Sequence, residues 1–380
     1  MKLCHSLACL GREKKPILLA AGFFDGVHRG HQEVIRQVMR AAARRGAHAW
    51  IMTFDIHPLK LLQPEAAPPL LTATAHKARL LEKLGADGCL ILPFTRSFAL
   101  MEPEKFIVQL TRSAPNLRGM AVGNNWTFGR RGCGTPALLK KLGALRGFDV
   151  RIVRQVRWRG GVISSTRIRR ALADGKLADA AAMLGRDFSV AGTVVTGRGF
   201  GRRLGIPTAN ISPHNEVLPE AGVYAVRAVL GGKFFNGVAN VGQRPTFGKN
   251  EVISKLALKP TPPLGHPSKG GDLAASAATG YDPLHRRGGV SRGGSEASFE
   301  TGSNNTAAAG LLEVHLFDIC ENLYHREMEV FFLKRMRPER KFAAVSALKR
   351  QIMRDVEQAR KILENLALQK NGLRYNALQQ

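Results

Sequence analysis

The chain has 380 residues, 44% of them hydrophobic, and carries a net charge of +28 from 57 Lys+Arg against 29 Asp+Glu. That length suits two domains, and the apolar content suffices for sizeable cores. No apolar run is long enough to span a membrane, and the opening MKLCHSLACLGREKK runs into charge without a cleavage site, so no leader is expected. Cys4, Cys9, Cys89, Cys133 and Cys320 form no CxxC pair, which fits a reducing, cytoplasmic setting. The basic residues are spread along the whole chain. They leave open nucleic-acid binding, attraction of polyanionic small substrates, or a general bias without functional meaning.

In chain order, PILLAAGFF reads as a buried strand and HQEVIRQVMRAAARRG as a helix with Val34, Ile35, Val38, Met39 and Ala42 on one face and Gly46 as its stop. AHAWIMTF, DGCLILPF, RGMAVG and FDVRIVRQV are strand-like. TAHKARLLEKLG, EPEKFIVQLTRS and TPALLKKLGAL are helix-like between them. This alternation predicts a parallel sheet covered by helices. From FSVAGTVVTGRG near residue 187, strands follow one another without helices: GVYAVRAVL and KFFNGVANVG around a GG turn, then LLEVHLFDI and EMEVFFLKRM. A small antiparallel barrel or sandwich is expected, closed by a long C-terminal helix. Residues 249–310, rich in Gly, Ser, Ala and Pro, read as a disordered insertion between two strands.

GFFDGVHRGH, residues 22–31, lies at the carboxyl end of the first strand and opens a helix. Ligands bind at that edge of an open parallel sheet, and a helix N-terminus offers free N–H groups to a phosphate. Gly26 and Gly30 let the backbone approach, and His28 and His31 can donate to oxygens that gain charge. A metal site would need a third ligand, and a polar turn before a surface helix would need none. Both alternatives stay open on the residues alone.

VISSTRIRRAL, residues 162–172, offers Ser164 or Ser165 as an N-cap. It is either a plain cap before a basic helix or a second phosphate cradle to which Arg167 and Arg169 add charge. Paired with the histidine loop, it suits one nucleoside triphosphate. GRRLGIPTANI, residues 201–211, resembles a flap over phosphates, or a proline-initiated turn into a strand. Thr208 and Asn210 share a strand face and are oxygen ligands suited to Mg²⁺. Glu313 stands in an otherwise apolar strand with His315 on the same face. It is a general base or an ordinary exposed or salt-bridged strand residue.

Together these stretches resemble the bacterial bifunctional riboflavin kinase/FAD synthetase family. GFFDGVHRGHQ, TFDIHP, LLEKLGAD, VGNNWTFGRRGCG, ISSTRIRRAL, GRRLGIPTANI, GVYAVRAVL, GVANVGQRPTFG, LLEVHLFD and DVEQARKIL occur in the family's order, over essentially the full chain except 249–310. The resemblance implies an α/β, Rossmann-like HxGH nucleotidyltransferase domain over 1–186. A small antiparallel β-barrel flavokinase domain with a C-terminal helix would follow over 187–380. It implies that riboflavin is phosphorylated to FMN and FMN adenylylated to FAD, both with ATP and Mg²⁺.

By the same resemblance, His28 and His31 would stabilise the α-phosphorus. Ser164, Ser165, Thr166 and Arg169 would hold the β and γ phosphates, and Asn125 and His57 would lie toward the flavin. Glu313 would be the kinase base and Thr208 and Asn210 the Mg²⁺ ligands, with Gly197, Gly199, Gly201, Arg202 and Gly205 over ATP. The chain departs from the pattern at Phe23, usually polar or small, in the long 249–310 loop, and in the looser match of CENLYHREMEV.

Two other readings compete with this one. An HxGH adenylyltransferase with an inactive or accessory barrel would not need the PTAN element and Glu313. A basic nucleic-acid-binding protein would carry more aromatics than 7% and a recognisable motif. No membrane or nucleic-acid partner is expected, and oligomeric state is left open.

Overall fold

The apolar runs of the first half form one parallel sheet. Its strands are β1 (Lys2–Cys4), β2 (Ile17–Ala21), β3 (His48–Phe54), β4 (Gly88–Leu92), β5 (Leu117–Gly123) and β6 (Asp149–Val153), in the spatial order β1-β4-β3-β2-β5-β6. The structure, a computed structural model, describes residues 1–197, 201, 204–242, 311–319 and 321–377, with side chains as far as 368. Gly199, Arg202 and the expected insertion at 249–310 lie outside the described residues.

Helices α1 (Arg29–Arg44), α2 (Pro58–Leu62), α3 (Thr74–Lys83), α4 (Arg96–Ala99), α5 (Pro103–Ser113) and α6 (Pro136–Arg146) connect the strands. Every residue of β2 and β4 is buried, because helices cover both faces of the sheet. On one face Val34, Ile35, Val38 and Ala42 of α1, at the spacing the sequence predicts, join Leu80 and Leu81 of α3 over Leu18, Ala20, Ile51 and Ile91. On the other, Phe106, Ile107 and Leu110 of α5 and Leu139 of α6 cover Leu19, Trp50, Met52 and Leu90. The sequence reading missed β1. Its 3 residues are too few to show a period, yet they extend the sheet beside β4.

A short hairpin of β7 (Arg157–Trp158) and β8 (Gly161–Val162) precedes α7 (Ser165–Ala173) and α8 (Leu177–Leu184). Then come β9 (Phe188–Val195), β10 (Ala209–Pro213), β11 (Gly222–Leu230), β12 (Lys233–Gly242), β13 (Leu311–Leu316) and β14 (Glu327–Arg337), and the C-terminal helix α9 (Val345–Ala377). Of the two expected architectures the barrel is the one formed. It closes as β10-β13-β12-β11-β14-β9, so no sheet edge is left unpaired. Gly231 and Gly232, at φ 54° and 79°, make the tight turn between β11 and β12.

The barrel interior is continuous with α7 and α8: Ile168, Leu172, Ala180, Met183 and Leu184 pack in one cluster with Val190, Tyr224, Val226, Val330 and Phe332. Ala359 and Leu363 of α9 cover the outer face at Val223, Ala225 and Val238.

Candidate active sites

The strand order reverses at β2, with β3 and β4 on one side and β5 and β6 on the other. The histidine loop leaves β2 at that switch point, where open α/β sheets bind ligands. It is tightly wound: Phe24, Gly26 and Val27 have φ of 56°, 78° and 42°. For β-branched Val27 that conformation costs about 1–3 kcal/mol. His28 caps α1, its Nδ1 accepting the His31 backbone N–H at 3.3 Å. The two imidazoles stack with centroids 3.5 Å apart. Burial pushes His28 down to about 4, with Arg186 adding to the effect, and holds His31 well below the usual histidine range. Gly30 is tight: a Cβ there would lie 3.1 Å from the His28 ring.

Asp25 joins this loop to the serine-rich stretch. Its Oδ1 accepts the Thr72 N–H at 3.0 Å. Its Oδ2 accepts the Leu71 N–H at 3.2 Å and Arg169 Nη2 at 2.6 Å. Ser165 Oγ donates to the Asp25 carbonyl at 3.0 Å. Ser164, rather than Ser165, is the N-cap of α7, accepting from the Arg167 N–H at 3.3 Å. Thr166 is exposed on its first turn. Arg167 turns away and donates to the Trp158 carbonyl at 2.9 Å.

His57, after β3, caps α2 by accepting the Leu59 N–H at 3.1 Å, and burial lowers its pKa. Asn125 is exposed just beyond β5, the strand beside β2. Hence His28, His31, His57 and Asn125 follow the carboxyl ends of neighbouring strands, and Ser165 and Arg169 of α7 are tied to the histidine loop through Asp25.

Two residues here went unassigned in the sequence. One is Asp25. The other is Lys77, only 2% exposed, whose Nζ donates to the Phe23 and Phe54 carbonyls at 3.1 and 3.0 Å and to Thr53 Oγ1 at 3.0 Å. Burial pushes Lys77 down to about 8. The Phe23 ring, where the family pattern is broken, packs 4.3 Å under that ammonium and edge-on to His57 at 4.8 Å. The signal was available: Lys77 shares the apolar face of α3 with Leu80 and Leu81.

The second site lies on the outside of the barrel. Ala209 and Ile211 point inward, as do Leu312 and Val314, so Asn210 and Glu313 face out. Glu313 pairs in register with Asn210 on one side and Asn240 on the other. Such partners stand about 5 Å apart. Asn240 lies in the GVANVGQRPTFG stretch, where nothing local marks it for a site.

Thr208 precedes the strand rather than lying in it, and is exposed, so strand alternation does not place it on the face of Asn210. His315, outward like Glu313, holds the segment before Thr208 through the Pro207 carbonyl at 2.8 Å. Gly197 faces Asn210 so closely that a Cβ would collide with its amide, and a Cβ at Gly201 would lie 2.9 Å from Thr208 Oγ1. Gly205 adopts φ 76°. Burial, reinforced by Glu339, raises the Glu313 carboxyl above its ordinary range.

A parallel sheet with buried histidines at its switch point, joined to a closed barrel with a carboxylate among amides, has the build of an enzyme with two candidate sites in one chain. The comparisons agree. The family model described as FAD synthetase matches residues 11–167, and that described as riboflavin kinase matches 184–257 and 282–363. The bifunctional riboflavin kinase/FMN adenylyltransferase of Escherichia coli K12 is 34% identical over 95% of this chain and 97% of its own. The protein of the same name from Bacillus subtilis is 29% identical over 96% and 98%. The crystal structure of a macrolide-efflux protein from Streptococcus pneumoniae is similar with a TM-score of 0.67 and 26% identity, over 92% of this chain and 95% of that one. Among the described residues no helix is long and apolar enough to cross a membrane. The chain belongs to the bifunctional riboflavin kinase/FMN adenylyltransferase family.

Proposed function

We propose that the barrel transfers the γ-phosphate of ATP to riboflavin, giving FMN, and that the sheet half transfers AMP from ATP to FMN, giving FAD and pyrophosphate. The working modules are assigned to 1–186 and 187–380, acting in the cytoplasm. The charge of +28 suits anionic nucleotide substrates.

One contrast between the two sites carries this reading. His28 and His31 are held neutral beside a helix N-terminus, whereas Glu313 is a carboxylate with a raised pKa. FMN already bears an anionic phosphate, so adenylyl transfer needs alignment and charge stabilisation rather than a base. Because His28 Nδ1 accepts from His31, its proton sits on Nε2. That N–H can donate to an oxygen of the α-phosphate as charge builds there. Asp25 is engaged by Arg169 and two backbone donors, which leaves it a scaffold. Ser164, Ser165, Thr166 and Arg169 are assigned to the β and γ phosphates, with Asn125 and His57 on the flavin side.

The riboflavin hydroxyl is not acidic, so Glu313 accepts its proton as the γ-phosphate is attacked. Thr208 and Asn210 are oxygen donors two residues apart at the start of β10, and they fit a hard cation that also touches phosphate. They would hold Mg²⁺, which would offset phosphate charge.

Incubation with riboflavin, ATP and Mg²⁺ should give FMN and then FAD by chromatography. FAD from supplied FMN without FMN from riboflavin would remove the kinase assignment. Absence of any flavin product would remove both. His28→Ala should abolish FAD formation and leave FMN formation intact.

A further inference from the structure

The strained histidine loop is held from a residue outside its own motif. Arg186 follows α8 as the last residue of the sheet half, two residues before β9. Its Nη2 donates to the Gly26 carbonyl at 2.8 Å and its Nη1 to the Val27 carbonyl at 3.2 Å. The Val27 carbonyl also accepts Gln32 Nε2 at 2.9 Å, and that same amide donates to the Leu184 carbonyl at 2.8 Å. Two consecutive peptide oxygens immediately before His28 are thus fixed by one planar guanidinium, a match that a flexible ammonium cannot reproduce.

The position is demanding. Arg186 Nε is buried without a hydrogen-bond partner, and burial lowers the guanidinium to about 10 while Glu329 of β14 opposes that fall. Glu329 is itself fixed, accepting Ser189 Oγ at 2.7 Å and hydrogen-bonded to His76 Nε2 at 2.9 Å. His76 belongs to α3 of the sheet half, so Glu329 of the barrel is held in place by a partner from the sheet half. Nothing in the geometry of Arg186 requires it to touch a substrate.

We propose that Arg186 is a positioning residue for adenylyl transfer: by clamping the Gly26 and Val27 carbonyls it holds the loop in its left-handed winding and aims His28. The residue at the junction of the two halves therefore completes the FAD-forming site. This inference rests on the assignment of His28 to the α-phosphorus.

The full chain should be assayed for FAD formation from FMN and ATP, and for FMN formation from riboflavin, with Arg186→Met, Arg186→Lys, Glu329→Gln and His28→Ala on matched preparations. Arg186→Met should lower kcat for FAD formation by about 10²-fold with the KM for ATP little changed, since misplacement by about 1 Å costs that much. FMN formation should stay at the unmodified rate. Arg186→Lys should recover part of the loss, and Glu329→Gln should lower FAD formation by a smaller factor.

Equal loss of both activities in Arg186→Met and Glu329→Gln would mean general destabilisation and overturn the proposal. So would full FAD formation in Arg186→Met while His28→Ala is inactive. Full FAD formation in His28→Ala would instead overturn the assignment of His28, and the proposal with it.

Discussion

Arg169 and Asp25 lie 144 residues apart in sequence, yet Nη2 of one is 2.6 Å from Oδ2 of the other. The contact is the physical link between the two phosphate-type stretches. Asp25 is 3% exposed and the Arg169 side chain 14%, so the pair is desolvated and each partner depends on the other.

Removing one partner of such a buried pair costs about 3–5 kcal/mol, because a charge is left without compensation. Asp25→Ala also releases the backbone donors of Leu71 and Thr72. FAD formation should fall by about 10²-fold or more, a barrier change of about 3 kcal/mol. FMN formation, whose Asn210 and Glu313 lie on β10 and β13 of the barrel, should persist at lower temperature. Chromatography of both products beside a thermal unfolding curve separates these effects. A variant with normal FAD output would show that the pair is not needed for the loop.

Glu313→Gln should abolish FMN formation, with a loss of about 10²–10⁴-fold typical of a missing general base. FAD formation from supplied FMN should not change. The base works when deprotonated, so the kinase rate rises with pH through its pKa. Burial and Glu339 raise that pKa. The acidic limb of the kinase profile should therefore lie above the ordinary glutamate value of 4.5, and Glu339→Gln should move it down. A limb unmoved by that change would count against the assignment.

Legibility from sequence followed locality. Periodicity exposed α1, and the GG turn exposed the β11–β12 hairpin, because each signal lies within a few residues. His28, His31 and Glu313 were singled out because polar groups stood out in apolar or glycine-rich surroundings. Asp25 to Arg169, Lys77 to Phe23, Arg186 to Gly26 and Asn240 beside Glu313 were not visible. Each is a contact made by tertiary packing between segments with no common pattern. Lys77 could be flagged by its place on the apolar face of α3, though not its partners, whereas Arg186 was hidden because a cation within a basic chain of +28 draws no notice. The closure of the barrel was likewise undecided by strand count, since it depends on β9 pairing with both β10 and β14.

Acid stability should report His28. Folded His28 takes its proton only near pH 4, whereas an ordinary histidine takes it near 6.5. Between those values the unfolded chain binds more protons, so stability falls as pH drops. Above 6.5 the contribution vanishes, and by pH 5 it should cost on the order of 2 kcal/mol. Urea unfolding at pH 7 and pH 5 should show a larger loss for the unmodified protein than for His28→Asn. Equal losses would mean that His28 is not held neutral by burial.

Two glycines should separate the activities. A Cβ at Gly30 would lie 3.1 Å from the His28 ring, and one at Gly197 would collide with the Asn210 amide. Neither position requires a positive φ, so alanine acts through contact rather than backbone strain. Gly30→Ala should displace His28 by a few tenths of an ångström and lower FAD formation by about tenfold, while FMN formation is spared. Gly197→Ala must push Asn210 aside next to Glu313. It should lower FMN formation by at least about tenfold and leave FAD formation from FMN unchanged. Assaying both reactions on both variants gives a crossed pattern that no uniform loss of folded protein can produce. If either variant lowered both rates equally, the glycine would be structural rather than a spacer for its own site.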